Sequence, residues 1–294
     1  IDAYSMAAAS VDEALRNAVC VGVDLEMIAG LDNFCWPDSV ESPKTPDGRY
    51  KLAQLVRANR AIDEVCRAYR LPCISGKDSM KNDVTMHGEK ISVPPTILFS
   101  LIGNHNDVRK AVSSDFKRPG DHIYLLGETH QELGASELAY MFRDEGSGGI
   151  GGEVPRINPE RNLAMYRALT SAMSEGLVAS AHDCSDGGLA VALSECCFGS
   201  GSGASVEISS LERDCNHLDE WGALFGESLG RILVSVSPKD SDAFAAAMKG
   251  NSCTRLGTVE EGDEITVFYG DTEVLQASMT ELKKAWQGSL GGDA

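Results

Sequence analysis

From residue 122 onward, short apolar and β-branched runs alternate with stretches of helical periodicity, and this alternation constrains the fold more than any other feature of the chain. The runs His122–Gly127, Leu177–Ala181, Ser205–Ser209, Arg231–Val236, Thr254–Val259 and Glu264–Tyr269 have strand length and strand composition. Between and after them the spacing predicts helices near Gly134–Arg143, Pro159–Ser174, Leu189–Phe198, Trp221–Glu227, Lys239–Met248 and Thr280–Trp286. Elements mixed in this way must stack as layers, because every sheet face and helix stripe needs an apolar partner. An α/β (α+β) fold is expected, and no internal repeat at a period of about 20–50 residues contradicts it.

The first 118 residues read differently. Val11, Ala14, Leu15 and Ala18 fall on one face of a helix over Ser5–Val19. Met27–Leu31 reads as a buried strand, and Asp38–Arg49, with two prolines, as a loop. A second helix follows, its apolar stripe running from Leu52 to Tyr69 and its other face carrying Lys51, Arg57, Arg60, Arg67 and Arg70. A short strand, Pro72–Ile74, leads into the polar string Ser75–Met80; then come a polar hairpin and the strand Thr96–Ile102. Arg118-Pro119-Gly120-Asp121 reads as a junction, giving two expected domains, 1–118 and 119–294.

The formal net charge is -18. The excess lies beyond Arg118, where 11 basic residues face 28 acidic ones, against 15 and 16 before it. Such an acidic half repels a phosphate backbone, so nucleic acid is not an expected partner, and the more neutral half is the better place for an anionic small molecule. No apolar run approaches the roughly 18–20 residues that span a bilayer. Nine cysteines without CxxC spacing support neither a zinc site nor a disulfide framework, and free thiols in the cytoplasm are expected. Ile1-Asp2-Ala3-Tyr4, without an initiator Met, reads as mid-protein sequence.

Three groups of residues could carry chemistry. Glu13 and Asn17, four apart on the first helix, lie on one face opposite the apolar stripe, where a carboxylate and an amide oxygen can hold a hard cation; an ordinary solvated helix surface has the same spacing. The string His182-Asp183-Cys184-Ser185-Asp186-Gly187-Gly188 follows a strand and precedes a helix, where layered folds place ligands. Ser185 or Asp186 would cap that helix, and its free N–H groups suit a phosphate. Ser75-Gly76-Lys77-Asp78-Ser79 combines a glycine for close approach, a cationic side chain and a hydroxyl, although a plain turn would look the same. Gly146–Gly151 matches GxGxxG literally, but a helix rather than a strand is expected before it, so it reads as a loop.

Taken in order, Asp12–Asn17, Leu31-Asp32-Asn33-Phe34, Ser75–Ser79, Leu133-Gly134-Ala135-Ser136, His182–Gly188 and Leu224–Gly230 resemble the second synthetase half of the phosphoribosylformylglycinamidine synthase family, over nearly the whole chain. The resemblance implies the two-domain fold of aminoimidazole ribonucleotide synthetase, with an incomplete N-terminal sheet domain that pairs with a counterpart and an α/β C-terminal domain. It implies an ATP-dependent ligase of purine biosynthesis that converts formylglycinamide ribonucleotide, ATP and glutamine-derived ammonia to the amidine. ATP or ADP and Mg²⁺ are the implied cofactors; the first synthetase half and a glutaminase are the implied partners. Matched position by position, Glu13, Asn17 and Asp183 would hold the metal, Ser185, Gly76 and Lys77 the nucleotide, and Ser79 the substrate. Lys77 departs from the asparagine of the short family members, and no residue is assigned a catalytic role. A nucleotide-binding half that performs no chemistry, and a sibling synthetase or kinase of the same fold, are the competing readings.

Overall fold

The computed structural model describes residues 2–143, 152–214 and 217–288, and of 212–214 the backbone alone. The glycine string 146–151 lies outside the described residues. Helix α1 (Ala3–Cys20) starts where the Asp2 carboxylate accepts the Tyr4 N–H, an N-cap that satisfies one orphan donor of the first turn. After strand β1 (Ile28–Cys35), helix α2 (Gly48–Tyr69) closes on Arg70 in the left-handed region. Strand β2 (Cys73–Ser79), the hairpin β3 (Asp83–Met86) and β4 (Glu89–Ser92), and strand β5 (Thr96–Gly103) follow. β1 is the middle of a three-stranded sheet, parallel to β2 and antiparallel to β5.

Beyond residue 118 come β6 (His122–Leu126), α3 (Glu137–Met141), α4 (Pro159–Ser174), β7 (Ser180–Asp183), α5 (Gly188–Phe198), β8 (Gly203–Glu207) and α6 (Glu220–Phe225). They are followed by β9 (Ile232–Val236), α7 (Ser241–Ala247), β10 (Cys253–Glu260), β11 (Glu264–Tyr269), β12 (Thr272–Ser278) and α8 (Met279–Gly288). Among the described residues these strands form a seven-stranded sheet in the order β12-β11-β8-β10-β6-β9-β7. It is antiparallel except for the β8–β11 pair. β9 is buried along its whole length, and strand alternation divides it between two cores. Ile232, Val234 and Val236 join α1, α2, α4 and α7 on one face, while Leu233 joins α5 and α6 on the other. The first core therefore runs from the opening helices into the second sheet. The mixed α/β layers are those expected from the sequence, and no described helix is long and apolar enough to cross a membrane.

Four expectations are corrected. Ser75–Ser79 is not a turn after a strand; it is the body of β2. The helix expected over Gly134–Arg143 covers only Glu137–Met141, because Gly134 packs its backbone on Glu153 and Ala135 takes a left-handed φ of 62°. β12 follows Tyr269 as an edge strand that the sequence reading does not include. Neither Ser185 nor Asp186 caps α5: the cap is Gly187 at φ 76°, with Gly188 also positive. A Cβ on Gly188 would stand 2.5 Å from the Gly226 carbonyl oxygen, so the turn into α5 admits only glycine there.

Polar ties also cross the apolar layers. Asp12, on the buried side of α1, accepts Tyr69 from α2 together with Tyr166 (2.8 Å) and Asn162 (3.1 Å) from α4, and pairs with Arg16 one turn on. Both charged residues are almost fully enclosed, at 0% and 1% exposure. His182 stands between Asp183 (3.6 Å) and Glu195 of α5 (2.8 Å), and Glu195 also accepts the Trp286 indole N–H of α8 at 3.2 Å. Burial opposes the imidazolium, but the two carboxylates outweigh it and push His182 up to about 9.

Two outcomes are expected. Asp12→Ala leaves a buried guanidinium unpaired and should lower the unfolding free energy by about 3–5 kcal/mol. Urea unfolding reads this as a shifted midpoint at unchanged slope; a loss below about 1 kcal/mol would show that other contacts hold the three helices. Folded His182 binds its proton more tightly than the unfolded chain does. Its stabilisation is thus complete below about pH 6.5 and lost as pH rises through about 9. The melting temperature of the ligand-free protein should fall over that window and His182→Gln should flatten the fall; an identical alkaline profile in the variant would refute the assignment.

Candidate functional site

The loop 184–187, at the carboxyl end of β7, opens into a cavity of about 730 Å³. α1 forms one wall with Met6, Ala9, Glu13 and Arg16, and Pro94, Pro95 and Ile97 close the side toward β5. Gly134, Ala135, Val154 and Pro155 form a third side, with Glu227 and Leu229 beside the loop. Apolar side chains make up most of the wall, with a few charged and polar ones among them, the usual make-up of a small-molecule site.

The carboxylates Asp2, Glu13, Asp186 and Glu227 line the cavity, and among its described lining residues Arg16 is the only basic side chain. Glu13 is exposed overall, yet partial desolvation raises its carboxyl above the usual range; Arg16 pulls it back, while Asp186, Asp183 and Asp12 push it further up. Glu227 is likewise raised by burial, although its Oε1 accepts the backbone N–H groups of Gly187 and Glu137, each at 2.9 Å. That carboxylate takes the N–H of the cap residue Gly187 itself, and among the described residues no capping side chain accepts from the first turn of α5. Asp183 behaves oppositely. Burial would raise it, but bonds from His182 and Ser185 and the charge of Arg16 hold it at about 2. Ser185 Oγ donates to Asp183 Oδ2 at 2.6 Å and accepts from Arg16 at 3.3 Å.

The residues singled out in the sequence therefore fall into two sets. Glu13 and Ser185 line one cavity, and Asp183 is bonded to Ser185 and close enough to Glu13 to raise it. Asn17 is exposed one turn further along α1 and is not part of the cavity wall. Gly76, Lys77 and Ser79 lie elsewhere, on the exposed strand β2. Register puts Lys77 beside Asn33, with Leu98 beyond it on β5, and Ser79 beside Cys35, on the sheet face turned away from the buried Phe34 and Phe99. Lys77 there donates to Ser79. Asp12, Arg16 and Glu227 are the residues that sequence reasoning missed. Asp12 and Arg16 carried one available signal: an i,i+4 acid–base pair set directly against the apolar positions Val11 and Leu15.

Among the described residues no set of three or more His, Cys, Asp or Glu side chains stands arranged to hold a metal by itself. Mg²⁺ does not require one, since it keeps several waters and is commonly held by one or two carboxylates together with substrate phosphates. The raised Glu13 beside Asp183 and Asp186 fits that mode, because like charges gathered at a cavity wall are relieved by a cation.

Known proteins share this architecture. The chain matches the C-terminal domain of AIR synthase related proteins over residues 118–270. Its fold superposes on PurL of Thermotoga maritima complexed with FGAR with a TM-score of 0.72 at 20% identity, covering 96% of this chain and 43% of that one. The same PurL complexed with ATP gives 0.67 at 19% identity, covering 95% and 41%. The hydrogenase maturation protein HypE in complex with ATP gives 0.63 at 16% identity, covering 92% and 79%. The chain thus spans less than half the length of the PurL chains it resembles, and nearly four-fifths of HypE. With the match over residues 118–270 covering more than half of it, the chain belongs to the family of AIR synthase related proteins.

Proposed function

We propose that the chain is the second synthetase half of a phosphoribosylformylglycinamidine synthase and that its cavity holds a magnesium-bound adenine nucleotide. The observation that carries this reading is the meeting of Glu13 on α1 with Ser185 and Asp183 at the end of β7, at a cavity lined by apolar and by charged side chains. Ser185 and the first amides of α5 suit phosphate oxygens, and apolar wall residues such as Met6, Pro94, Pro95 and Ile97 suit a base. Glu13 and Asp183 would hold Mg²⁺, with Asn17 as a further oxygen ligand; the ion would neutralise phosphate charge that the surrounding carboxylates cannot tolerate alone. Membership of the AIR synthase related family and the fold shared with PurL complexed with FGAR and with ATP support the assignment.

The whole reaction, conversion of formylglycinamide ribonucleotide with ATP and glutamine-derived ammonia to the amidine, would need more than this chain. The chain spans 43% of PurL, and a first half and a glutaminase are its proposed partners. The outward face of the three-stranded sheet, with Leu98 and Ile102 exposed, is the surface offered to the first half, and residues 1–118 and 119–294 are the proposed domains. Gly76, Lys77 and Ser79 would then serve nucleotide and substrate at that junction. Their separation from the cavity favours a second reading, in which this half holds its nucleotide for structure while turnover occurs where the two halves meet.

Calorimetry should detect Mg-ADP binding to the isolated chain, weakened at least about tenfold in Asp183→Ala and in Glu13→Gln, the change that loss of one charged contact produces. Absence of binding by a folded wild-type chain would sink the nucleotide reading. The isolated chain should also form no amidine from formylglycinamide ribonucleotide, ATP and ammonium; turnover by the chain alone would overturn the need for a first half.

A further inference from the structure

Arg16 has no assigned task in the reading above, yet its setting is costly for an ordinary core position. It sits between the apolar positions Val11, Leu15 and Val19 on α1 and is 1% exposed. A guanidinium so enclosed gives up its hydration, and an apolar side chain of similar volume would often serve stability as well or better. Something must use its donors. One terminal nitrogen pairs with Asp12 and the other donates to Ser185 Oγ at 3.3 Å. Nε is buried without a hydrogen-bond partner, 4.0 Å from Asp183 Oδ2, and the side chain reaches the cavity wall.

The fork cannot swing away from this place. Asp12 is itself held by Tyr69, Tyr166 and Asn162, so three helices fix the carboxylate that fixes the guanidinium. From there the chain of contacts continues outward. Ser185 Oγ accepts from Arg16 and commits its proton to Asp183 at 2.6 Å, which sets the rotamer of both loop residues. A lysine would supply charge but not two diverging donors in one plane.

We propose that Arg16 is a positioning residue: anchored on Asp12, it holds Ser185, and through it Asp183, in the arrangement that meets a phosphate-bearing ligand in the cavity. The proposal rests on the nucleotide reading of that cavity and deepens it. Arg16 acts through the loop, so its effect on binding should not add to that of removing the Ser185 hydroxyl.

The test uses the isolated chain and four proteins: wild type, Arg16→Lys, Ser185→Ala and the double variant, each checked for a cooperative melt. Mg-ADP affinity should fall about tenfold in Arg16→Lys and by a similar factor in Ser185→Ala, with the double variant no weaker than either single by more than about twofold. A folded Arg16→Lys that binds as tightly as wild type, or single losses that multiply in the double variant, would overturn the proposal. Should Arg16→Lys not fold, the neutral pair Asp12→Asn with Arg16→Gln replaces it under the same two outcomes. Should wild type bind no Mg-ADP, the nucleotide reading fails separately, and hydrogen exchange of the ligand-free chain decides. Amides 184–188 should then exchange at least about tenfold faster in the Arg16 variant while β9 is unchanged, and equal exchange in the loop would refute the positioning role.

Discussion

The buried pair of Asp12 and Arg16 is the contact on which the arrangement of this molecule turns. α1 belongs by sequence to the first sheet, yet its buried side also faces α4 and β7 of the second. Apolar packing alone would allow the helix to rotate or slide between such neighbours, since dispersion is non-directional. A carboxylate that must satisfy Tyr69, Tyr166 and Asn162 at once allows neither. The polar cluster therefore sets the rotation of α1, and that rotation carries Glu13 to the cavity wall.

The charge distribution gives this geometry its chemical meaning. Glu13 and Glu227 line the cavity and Asp183 is bonded to its Ser185, and their ionisation splits: Asp183 is held at about 2, whereas Glu13 and Glu227 are raised. Environment rather than residue type makes the difference: Asp183 has bonds from His182 and Ser185 and the charge of Arg16 to offset its burial, while Glu13 is raised first by burial, with Arg16 opposed by Asp186, Asp183 and Asp12. An anionic ligand entering such a site without a cation would add to the repulsion. A metal-bound nucleotide brings its own compensation, and the proposed function depends on that difference.

Much of the fold was legible in the sequence, for physical reasons that particular elements make plain. α1, α2, α4 and α5 have one apolar stripe or a clear start, so periodicity locates them to within a few residues. β2 was not legible because Ser75-Gly76-Lys77-Asp78-Ser79 is an edge strand exposed along most of its length, and its backbone pairing with β1 leaves no trace in hydropathy. Asp12 and Arg16 were read past for the opposite reason. Charged residues at i,i+4 normally describe a solvated face, and only the tyrosines of other helices make this face an interior. The glycine cap of α5 was likewise hidden, since its partner Glu227 lies 40 residues further along the chain.

The placement of β2 bears on how a family motif should be read. Ser75–Ser79 and His182–Gly188 are both polar strings beside strands, and the family resemblance implies a nucleotide contact for each. Pairing register separates them: Lys77 and Ser79 look out from the sheet face opposite Phe34 and Phe99, while Ser185 looks into the cavity beside α1. The exposed Leu98 and Ile102 of β5, on the same sheet face as Lys77 and Ser79, are apolar surface poorly suited to remain bare in water. That face makes better sense as half of a surface, completed by another sheet that would cover the apolar residues and enclose the polar ones. On the proposed reading the two motifs then serve two ligands, one held within this chain and one held between it and its counterpart.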